Sequence, residues 1–469
     1  MRRVYVGPIL LIVSAVLAAP LGAQTVQEQL RRVELQTQRD PLLADWREKD
    51  EGQQNFQHGG WSSYSAVWLE NDDNSEAAAD AVDRILVMDN RYWGKLDFEG
   101  GSSIYARIRF LDFRFDTGPG TAQPYLPNER LDLDLAYLDT TVFDDYSVRL
   151  GRQYLRMGRG LTLNGNYDGA HVDWTSGRWT FDGFLAQSLP NDVDLDTTLE
   201  NRLLGSRAKR RFAGFNASFL NEEGERYFFY WLRQKDNSDQ PGFVPAAVQR
   251  FDYDTDYYAL GTSGDFTQNL SYYGEGILEK GSAIGPGAAG TRIGVNSSAG
   301  FAELAYHPDW KGHPVFTSEL AVAGGDPGRL AGISTQTGAA SGGVDRNFMG
   351  FGRYDFGLAL NPRLSNLEVW RNGVFWKPFE ESKGFESFTV GTKLSRYRKT
   401  DSFGFMSDPQ ATVQGTNDIG SAVDFLIGWR PYSDLTVLAQ WGKFSPGDAY
   451  PAGTQDDTTN LFLNVTYSY

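Results

Sequence analysis

The sequence predicts an all-β fold: a transmembrane antiparallel β-barrel of about 18 strands with both chain ends on the periplasmic side. Three observations predict it. Segments of about ten residues alternate apolar and polar side chains, as membrane-spanning strands do. The connections between these segments alternate between short turns and long loops. The chain ends on such a segment, "LFLNVTYSY", whose terminal residue is aromatic.

The first residues have the pattern of a secretory signal peptide. Arg2 and Arg3 precede a short apolar run, and small residues at Leu21-Gly22-Ala23 form a cleavage pattern. The alternative, an uncleaved membrane anchor, requires a longer apolar run. We therefore divide the chain into a signal peptide (1–23), a periplasmic leader (24–60) and the barrel (61–469), with one candidate amphipathic helix from Val26 to Leu35 in the leader.

The composition fits an exported membrane protein. Mean hydropathy is −0.43 although 14% of the residues are aromatic, so apolar and polar side chains must be sorted onto separate surfaces. The sequence has 0 Cys, so a closed hydrogen-bonded sheet has to supply the stability that disulfides give many exported proteins. The formal net charge of −16 argues against a nucleic-acid partner.

The predicted strands follow one another from Trp61 to the end of the chain. In "SSIYARIRFLDF", Ile104 and Ile108 face one side while Arg107 and Arg109 face the other. The 18 predicted strands begin near Trp61, Arg84, Ser103, Leu131, Tyr146, Asp168, Trp179, Arg210, Arg226, Phe251, Asn269, Arg292, Pro314, Asn366, Phe385, Ile419, Leu435 and Asn460.

The connection lengths set the predicted orientation. Short turns such as 99–102, 175–177 and 431–434 alternate with loops such as 187–209 and 324–365 that are rich in Gly, Pro, Asp and Thr. Short turns are periplasmic and long loops extracellular in outer-membrane barrels, and an even strand count returns the last strand to the periplasm. Tyr469 is then expected at the inner interface, where aromatic rings favour the headgroup layer. The alternative, a soluble propeller, is not supported by any blade-length repeat.

If apolar side chains face lipid, the opposite faces of the strands line the lumen. The lumen set contains cations and anions: Asp89, Arg91, Lys95, Arg107, Arg109, His171, Asp173, Asp182, Lys393, Asp424 and Arg430. This mixture predicts an aqueous pore in which guanidinium groups hold carboxylates with two hydrogen bonds and release them again. The alternative is that the arginines pair with the aspartates and close the barrel.

One loop has an unusual density of rings. The segment 324–365 contains "NFMGFGRYDFGLALNPR", where Phe348, Phe351, Tyr354 and Phe356 surround Arg353. Loops of this length are usually functional or disordered. We expect it to fold into the lumen as a constriction, and a mobile outer loop is the alternative.

Three stretches resemble the alginate export family of outer-membrane porins: "YSVRLGRQYLRMGRGLTLNGNYDGAHVDWTSGRWTFDGFLAQ", "RYDFGLALNPRLSNLEV" and "WGKFSPGDAY". The resemblance implies an eighteen-stranded barrel that conducts a linear polyuronate outward through an arginine-rich constriction, with acidic residues nearby and loops that gate both ends. The positions that match the family's pattern are Arg152, Asp168, Asp173, Arg353 and Arg363.

The family resemblance and the predicted barrel also imply binding partners. The resemblance implies an anionic polysaccharide as the solute and a periplasmic scaffold protein that contacts the leader. A barrel of this kind also requires outer-membrane lipid and the outer-membrane assembly machinery.

Three hypotheses for the function remain open: an exporter of an anionic polysaccharide, a general porin for small anions or sugars, and an enzyme or adhesin on a barrel. The sequence has only 4 His, and His171 alone is expected to face inward, so a serine nucleophile, base and orienting group are not assembled. "GPGAAG" at 285–290 precedes a strand and not a helix, which argues against a dinucleotide site. "DVDLD" at 192–196 lacks the turn glycine and terminal glutamate of a calcium loop. We predict no enzyme activity, cofactor or metal site.

Overall fold

The computed structural model describes residues 56–76, 83–116, 129–142, 146–189, 209–237, 252–285, 291–329, 331–335, 338–339, 343–352 and 354–469. The predicted signal peptide, most of the leader, Arg353, and the candidate motifs at 192–196 and 286–290 lie outside these residues. No helix among the described residues is long and apolar enough to span a bilayer.

The described chain forms 19 strands. Their bounds are β1 Phe56–Glu70, β2 Arg84–Asp97, β3 Ser103–Asp116, β4 Glu129–Val142, β5 Tyr146–Met157, β6 Leu163–Ser176, β7 Trp179–Gln187, β8 Arg210–Leu220, β9 Arg226–Asp236, β10 Asp254–Thr267, β11 Leu270–Ile284, β12 Arg292–Tyr306, β13 Val315–Ala323, β14 Val344–Asp345, β15 Leu367–Trp376, β16 Thr389–Arg398, β17 Asp418–Tyr432, β18 Leu435–Pro446 and β19 Thr458–Ser468.

The sheet is a closed antiparallel barrel of 18 strands, because β1 pairs with both β2 and β19. The remaining strand, β14, is a two-residue segment that pairs in parallel with β12 at Gly294 and Val295, beyond the residues of β12 that pair with β13. The chain terminus completes the closure: the N–H of Gly60 donates to the carbonyl of Tyr469 at 2.8 Å, and the N–H of Tyr469 donates back at 2.9 Å. Closure leaves no exposed sheet edge at this seam, which a hydrocarbon medium requires.

The two ends of the barrel differ in their connections. One end carries short turns such as 177–178 and 433–434, together with Phe56 and Tyr469; we call it the short-turn end. The other, the long-loop end, carries the long connections, including 324–366. The predicted alternation of connection lengths is therefore confirmed. That the short-turn end faces the periplasm stays a prediction.

The outer face is apolar, as the alternation predicts. Its exposed side chains include Leu131, Leu185, Leu260, Leu278, Leu320 and Leu394. Exposed rings gather toward the short-turn end, where the interface is expected: Trp179, Tyr227, Phe266, Tyr306, Trp310, Trp376, Tyr467 and Tyr469. The predicted division of the last strand is confirmed, because Leu463, Val465 and Tyr467 are exposed whereas Phe462 is buried on the inner side.

The predicted strands all occur, with shifted ends. The barrel begins at Phe56 and not near Trp61, so the end of the predicted leader belongs to β1. Strand β6 begins at Leu163 and not at Asp168, because its first residues pair with β5 but not with β7. Strand β14 was not predicted, because two residues are too few to show an alternation of apolar and polar side chains.

Candidate pore constriction

Two segments near the long-loop end fold into the lumen. The first, which we call the inner hairpin, is the tip of β5 and β6 (residues 153–167). Pairing of β5 with β4 stops at Arg152 and Ala136, and pairing of β6 with β7 stops at Asp168 and Gln187. Beyond these residues β5 and β6 pair with each other and with no neighbouring wall strand, as far as Met157 opposite Leu163. The hairpin therefore leaves the barrel wall.

Arg159 anchors the inner hairpin to the far wall. Its backbone N–H donates to Glu275 on β11 at 2.9 Å, and its guanidinium forms an ion pair with Glu303 on β12. The guanidinium also lies over the rings of Tyr273 and Phe301, with centroid distances of 4.9 and 5.4 Å. An ion pair combined with ring contacts away from bulk water is one of the stronger ways to hold an arginine.

Gly158 makes this approach possible. Its φ is +51°, and a Cβ placed there would lie 2.4 Å from Oε1 of Glu275. The glycine therefore provides both a left-handed conformation and the room for the carboxylate.

The second inward segment is residues 343–366, which we call the lumen loop. Near its start, the N–H of Met349 donates to Glu279 at 2.9 Å and its carbonyl accepts a hydrogen bond from Tyr257. Phe348 and Phe351 are buried and contact the Tyr257 ring edge-on at 6.1 and 6.3 Å. This half of the loop is thus fixed to the β10–β11 wall.

The lumen loop also contacts the inner hairpin through the backbone. The N–H of Phe351 donates to Thr162 at 3.0 Å and the N–H of Gly352 donates to Leu161 at 3.3 Å. A Cβ on Gly352 would lie 1.9 Å from the carbonyl oxygen of Gly160, so only glycine permits this spacing. The two inward segments therefore form one constriction.

The second half of the loop crosses the lumen. The Tyr354 hydroxyl donates to Glu319 on β13 at 2.8 Å, and burial raises the pKa of Tyr354 to about 12, so the hydroxyl keeps the proton that it donates. Farther along, the N–H of Leu358 donates to Asp424 on β17 at 3.3 Å. The Leu358 side chain then packs with residues of β1, β2, β3 and β19: Val67, Leu69, Ile85, Val87, Leu111, Phe113 and Phe462.

The expectation that the segment 324–365 folds into the lumen is confirmed for residues 348–352 and 354–365, and the alternative of a mobile outer loop is wrong for them. Its earlier described residues pair with the ends of β11 and β12. Its backbone polar groups are satisfied by side chains of the wall, including the 2.6 Å hydrogen bond from Arg371 to the Asp355 carbonyl. Irregular backbone at membrane depth is tolerated where protein surrounds it.

A cluster of three arginines faces the lumen on β2 and β3. Arg91 and Arg109 each donate two hydrogen bonds to the Asp89 carboxylate, at 2.8–3.1 Å. Arg107 donates to Asp134 at 2.6 Å, and Arg91 lies 3.3 Å from the same carboxylate. We call these five residues the arginine cluster; its three cations exceed its two anions by one charge.

Two further features hold the arginine cluster in place. Arg91 and Arg107 lie over the Trp61 ring, at 5.5 and 5.2 Å from its centroid. Asp134 is the extra residue of a β-bulge on β4, since Arg107 lies opposite Leu135 and Ile108 opposite Leu133. The bulge re-aims the Asp134 side chain toward the arginines. The predicted inward placement of Arg91, Arg107 and Arg109 is confirmed, but all three pair with aspartates, as the alternative had it.

The predicted residues nearer the short-turn end also face the lumen. Arg149, which was not predicted, lies among them: it donates to Asp139 at 2.7 Å and lies over the Tyr137 ring at 4.7 Å. His171 lies 3.4 Å from Asp173 and 3.7 Å from Asp182. The remaining predicted cations are Lys95, 2.7 Å from Asp97; Lys393, 3.7 Å from Glu319; and Arg430, which donates to the Ser433 carbonyl at 2.6 Å.

Two positions transferred from the resemblance are wrong as pore residues. Arg152 and Asp168 lie opposite each other on β5 and β6, in register with exposed Leu150 and Tyr154, and form an ion pair of 2.8 Å on the outer face. Arg152 also donates to the Leu133 carbonyl at 2.6 Å, where β4 and β5 separate. The pair satisfies polar groups at the base of the inner hairpin and does not line the lumen.

The two transferred arginines of the lumen loop have different outcomes. Arg353 lies outside the described residues. The backbone N–H of Arg363 donates to Ser407 at 2.8 Å, and Arg363 lines a recess of about 30 Å³ between the lumen loop and the inner hairpin.

Sequence reasoning missed the acidic wall that holds the constriction. The acidic residues are Glu275, Glu279, Glu303 and Glu319, and two arginines that were also missed, Arg159 and Arg371, pair with Glu303 and Glu319. The inward glutamates were recognisable from the alternation in "YGEGILEKG" and "GFAELAY", but nothing local to those strands shows that loop residues reach them. Among the described residues, no group of three or more His, Asp or Glu side chains is placed to hold a metal ion.

Comparison with known proteins agrees with this geometry. The sequence model of the alginate export family matches residues 59–464. No curated protein sequence matches the chain.

Solved structures show the same fold at low sequence identity. The Pseudomonas aeruginosa proteins OccK8 (OprE) and OccK11 (OpdR) have TM-scores of 0.55 and 0.53 and identities of 10% and 11%. The matches cover 88% of this chain and 98% and 95% of those chains. OpdK from the same organism, solved with vanillate, has a TM-score of 0.52 at 11% identity, with 88% and 98% coverage.

Proposed function

This chain belongs to the alginate export family, and from that premise we propose that it exports an anionic polysaccharide, a polyuronate resembling alginate, through the arginine side of its lumen. The protein is a multi-pass outer-membrane barrel and a channel, and this does not depend on the proposal. The polymer class, the direction and the anion preference belong to the proposal.

The arginine cluster is the observation that carries it. Its guanidinium groups face the lumen, whereas the lumen loop reaches the neighbouring wall through the apolar contact of Leu358. Arg107 and Arg109 keep 10% and 7% of their side chains exposed, whereas Arg91 is fully buried behind them, so Arg107 and Arg109 are the two cations that a passing anion would meet. A carboxylate that passes can exchange with Asp89 or Asp134 for the same donors, and this competition keeps binding weak enough for release.

The test is ion selectivity in planar bilayers. Arg107→Gln combined with Arg109→Gln removes two lumen cations while keeping hydrogen-bond donors, so we expect the reversal potential under a KCl gradient to shift toward cation preference. Arg152→Gln is the matched control, because its charge lies on the outer face. Equal shifts in both variants, or none in the double variant, would contradict the pore assignment.

Block of the channel current by oligosaccharides distinguishes an exporter of polymers from a porin for small solutes. A tetramer of mannuronate should block the wild-type current, and the neutral sugar maltotetraose should not. Block should weaken about tenfold in the double variant, as expected for the loss of about 1.4 kcal/mol of charge-assisted binding.

A general porin for small anions or sugars is the second candidate. It is favoured by the way the lumen loop crosses the barrel, from Met349 at the β10–β11 wall to Leu358 at the β17 wall, which narrows the lumen for a bulky polymer. Passage of small anions with no block by the tetramer would favour this candidate. The absence of enzyme activity, a periplasmic scaffold protein that contacts the leader, and insertion by the assembly machinery remain proposals.

A further inference from the structure

An excess of cations lies on the outer face of β8, β9 and β11 at the long-loop end. Arg211, Lys235 and Lys280 are exposed there, and none of the three forms an ion pair among the described residues. Their positions on the outer face follow from the alternation, since Phe212, Gln234 and Glu279 beside them are buried on the inner side. We call these three residues the basic patch.

Strand register brings two of these cations together. Arg211 lies directly opposite Lys235 in the β8–β9 pair, and both side chains point outward. Residues opposite each other have Cβ atoms about 5 Å apart, and like charges in this arrangement are destabilising. Such a pair needs an anion between the two side chains to become favourable.

The aspartates nearby are already paired with other cations. Arg233 lies 3.7 Å from Asp256, which is also directly opposite Lys280 in the β10–β11 pair, and Arg292 lies 3.1 Å from both Asp252 and Asp254. Counting Arg233 and Arg292 with the basic patch, five cations share these three aspartates, and no aspartate lies opposite Arg211 or Lys235 in the described strand pairs. The basic patch is therefore a local positive surplus on a chain whose net charge is −16.

The height of the patch on the barrel points to the lipid headgroup layer. Lys235 follows Arg233 and Trp231 along β9, and Lys280 follows exposed Leu278 on β11. Trp231 and exposed Tyr258 border the apolar surface of Leu260 and Leu278. Aromatic rings mark the boundary of the hydrocarbon layer, and phosphate groups of lipids lie just beyond it.

We propose that the basic patch binds the phosphate groups of a phosphorylated membrane lipid in the leaflet at the long-loop end. A phosphate carries up to two negative charges and several acceptor oxygens, so it can bridge Arg211 and Lys235 and replace their repulsion with two charge-assisted contacts. A lipid fits better than a soluble anion, because its acyl chains cover the apolar surface below the patch. The proposal does not depend on what the pore transports.

The test is lipid binding by the full-length protein in a neutral maltoside detergent. Diphosphoryl lipid A is titrated while native mass spectrometry counts bound lipid and thermal unfolding is followed by tryptophan fluorescence. The wild type should retain the lipid and unfold at a higher temperature with it. Arg211→Gln combined with Lys235→Gln should weaken binding about 30-fold, as two lost cations near a membrane surface predict.

The matched control is Arg178→Gln combined with Lys311→Gln, which removes two exposed cations at the short-turn end. It should bind like the wild type. Without lipid, the Arg211/Lys235 variant should unfold at the same temperature as the wild type or higher, because the like-charge pair is gone. If the double variant does not fold, Lys280→Gln alone replaces it, and this variant should lose part of the lipid binding. Lipid binding equal to that of the wild type would then contradict the proposal.

Three results would overturn the proposal: equal lipid binding by the patch variant and the wild type, equal binding of lipid A that lacks its phosphates, or an equal rise in unfolding temperature with inorganic phosphate at the same concentration.

Discussion

The lumen has two charged walls that use their charges differently. On the β10–β13 side, Glu275, Glu279, Glu303 and Glu319 all hold inward-folded segments. On the β2–β4 side, the arginine cluster contacts its own aspartates and Trp61. We call the first the glutamate wall. The comparison teaches that an inward charge is not a pore charge until its partners are known. The glutamate wall positions the constriction, and the wall with the arginine cluster is the one that the proposed function assigns to the passage.

The largest effect is expected from Glu279→Ala on the glutamate wall. The substitution leaves the hydroxyl of Tyr253 and the N–H of Met349 without their carboxylate acceptor in a buried site. The lumen loop should lose about 3 kcal/mol or more of local stability, because buried donors left unpaired cost about 1–3 kcal/mol each. Single-channel conductance should rise and trypsin should cleave after Arg346.

Glu222→Ala is the control for that variant, because Glu222 is exposed in a turn and pairs with Arg178. It should leave both conductance and cleavage unchanged. If the lumen loop of Glu279→Ala stayed closed and resistant to trypsin, the conclusion that the glutamate wall holds this loop in place would be wrong.

A smaller effect is expected from Arg159→Ala, which tests the other inward segment. The variant loses the ion pair with Glu303 and the contacts with Tyr273 and Phe301. The inner hairpin should be destabilised by about 2 kcal/mol, from ring and ion-pair contacts away from bulk water. Conductance should fluctuate more between levels, while anion preference should stay near that of the wild type.

The neighbouring Arg156→Ala is the control for charge, because Arg156 lies on the same hairpin and is exposed. It removes one 3.0 Å hydrogen bond to the Arg159 carbonyl but leaves the ion pair with Glu303 in place. If Arg159→Ala changed selectivity as strongly as the Arg107/Arg109 variant, the division between a positioning wall and a passage wall would fail.

The smallest effect is expected from Gly352→Ala, which leaves every charge in place. The added Cβ would overlap the Gly160 carbonyl, so the lumen loop and the inner hairpin must separate slightly, at a cost of about 1–3 kcal/mol. Conductance should change modestly without a change in reversal potential. Gly428→Ala, where a Cβ meets no atom within 4 Å, should match the wild type. Identical traces for the two variants would show that the close backbone approach does not shape the passage.

The outer-facing ion pair of Arg152 and Asp168 shows where sequence reasoning failed. Alternation in β5 puts Leu150, Arg152 and Tyr154 on one face, which is the lipid face, whereas the resemblance assigned Arg152 to the pore. The period of the strand was the better guide, because the face of a side chain is fixed by local backbone geometry. The pair instead lies where β5 and β6 leave the wall. The alternation of side chains along a strand does not show where a strand leaves its neighbours.

The sequence by itself determined the strands, their order and the face of each side chain, because a period of two residues is a property of the extended backbone. Tertiary structure alone decided that the β5–β6 tip leaves the wall, that a bulge aims Asp134 at three arginines, and that Glu279 holds Met349. These depend on contacts between segments far apart in the chain. Such contacts arise only when the closed barrel brings its walls around a common lumen.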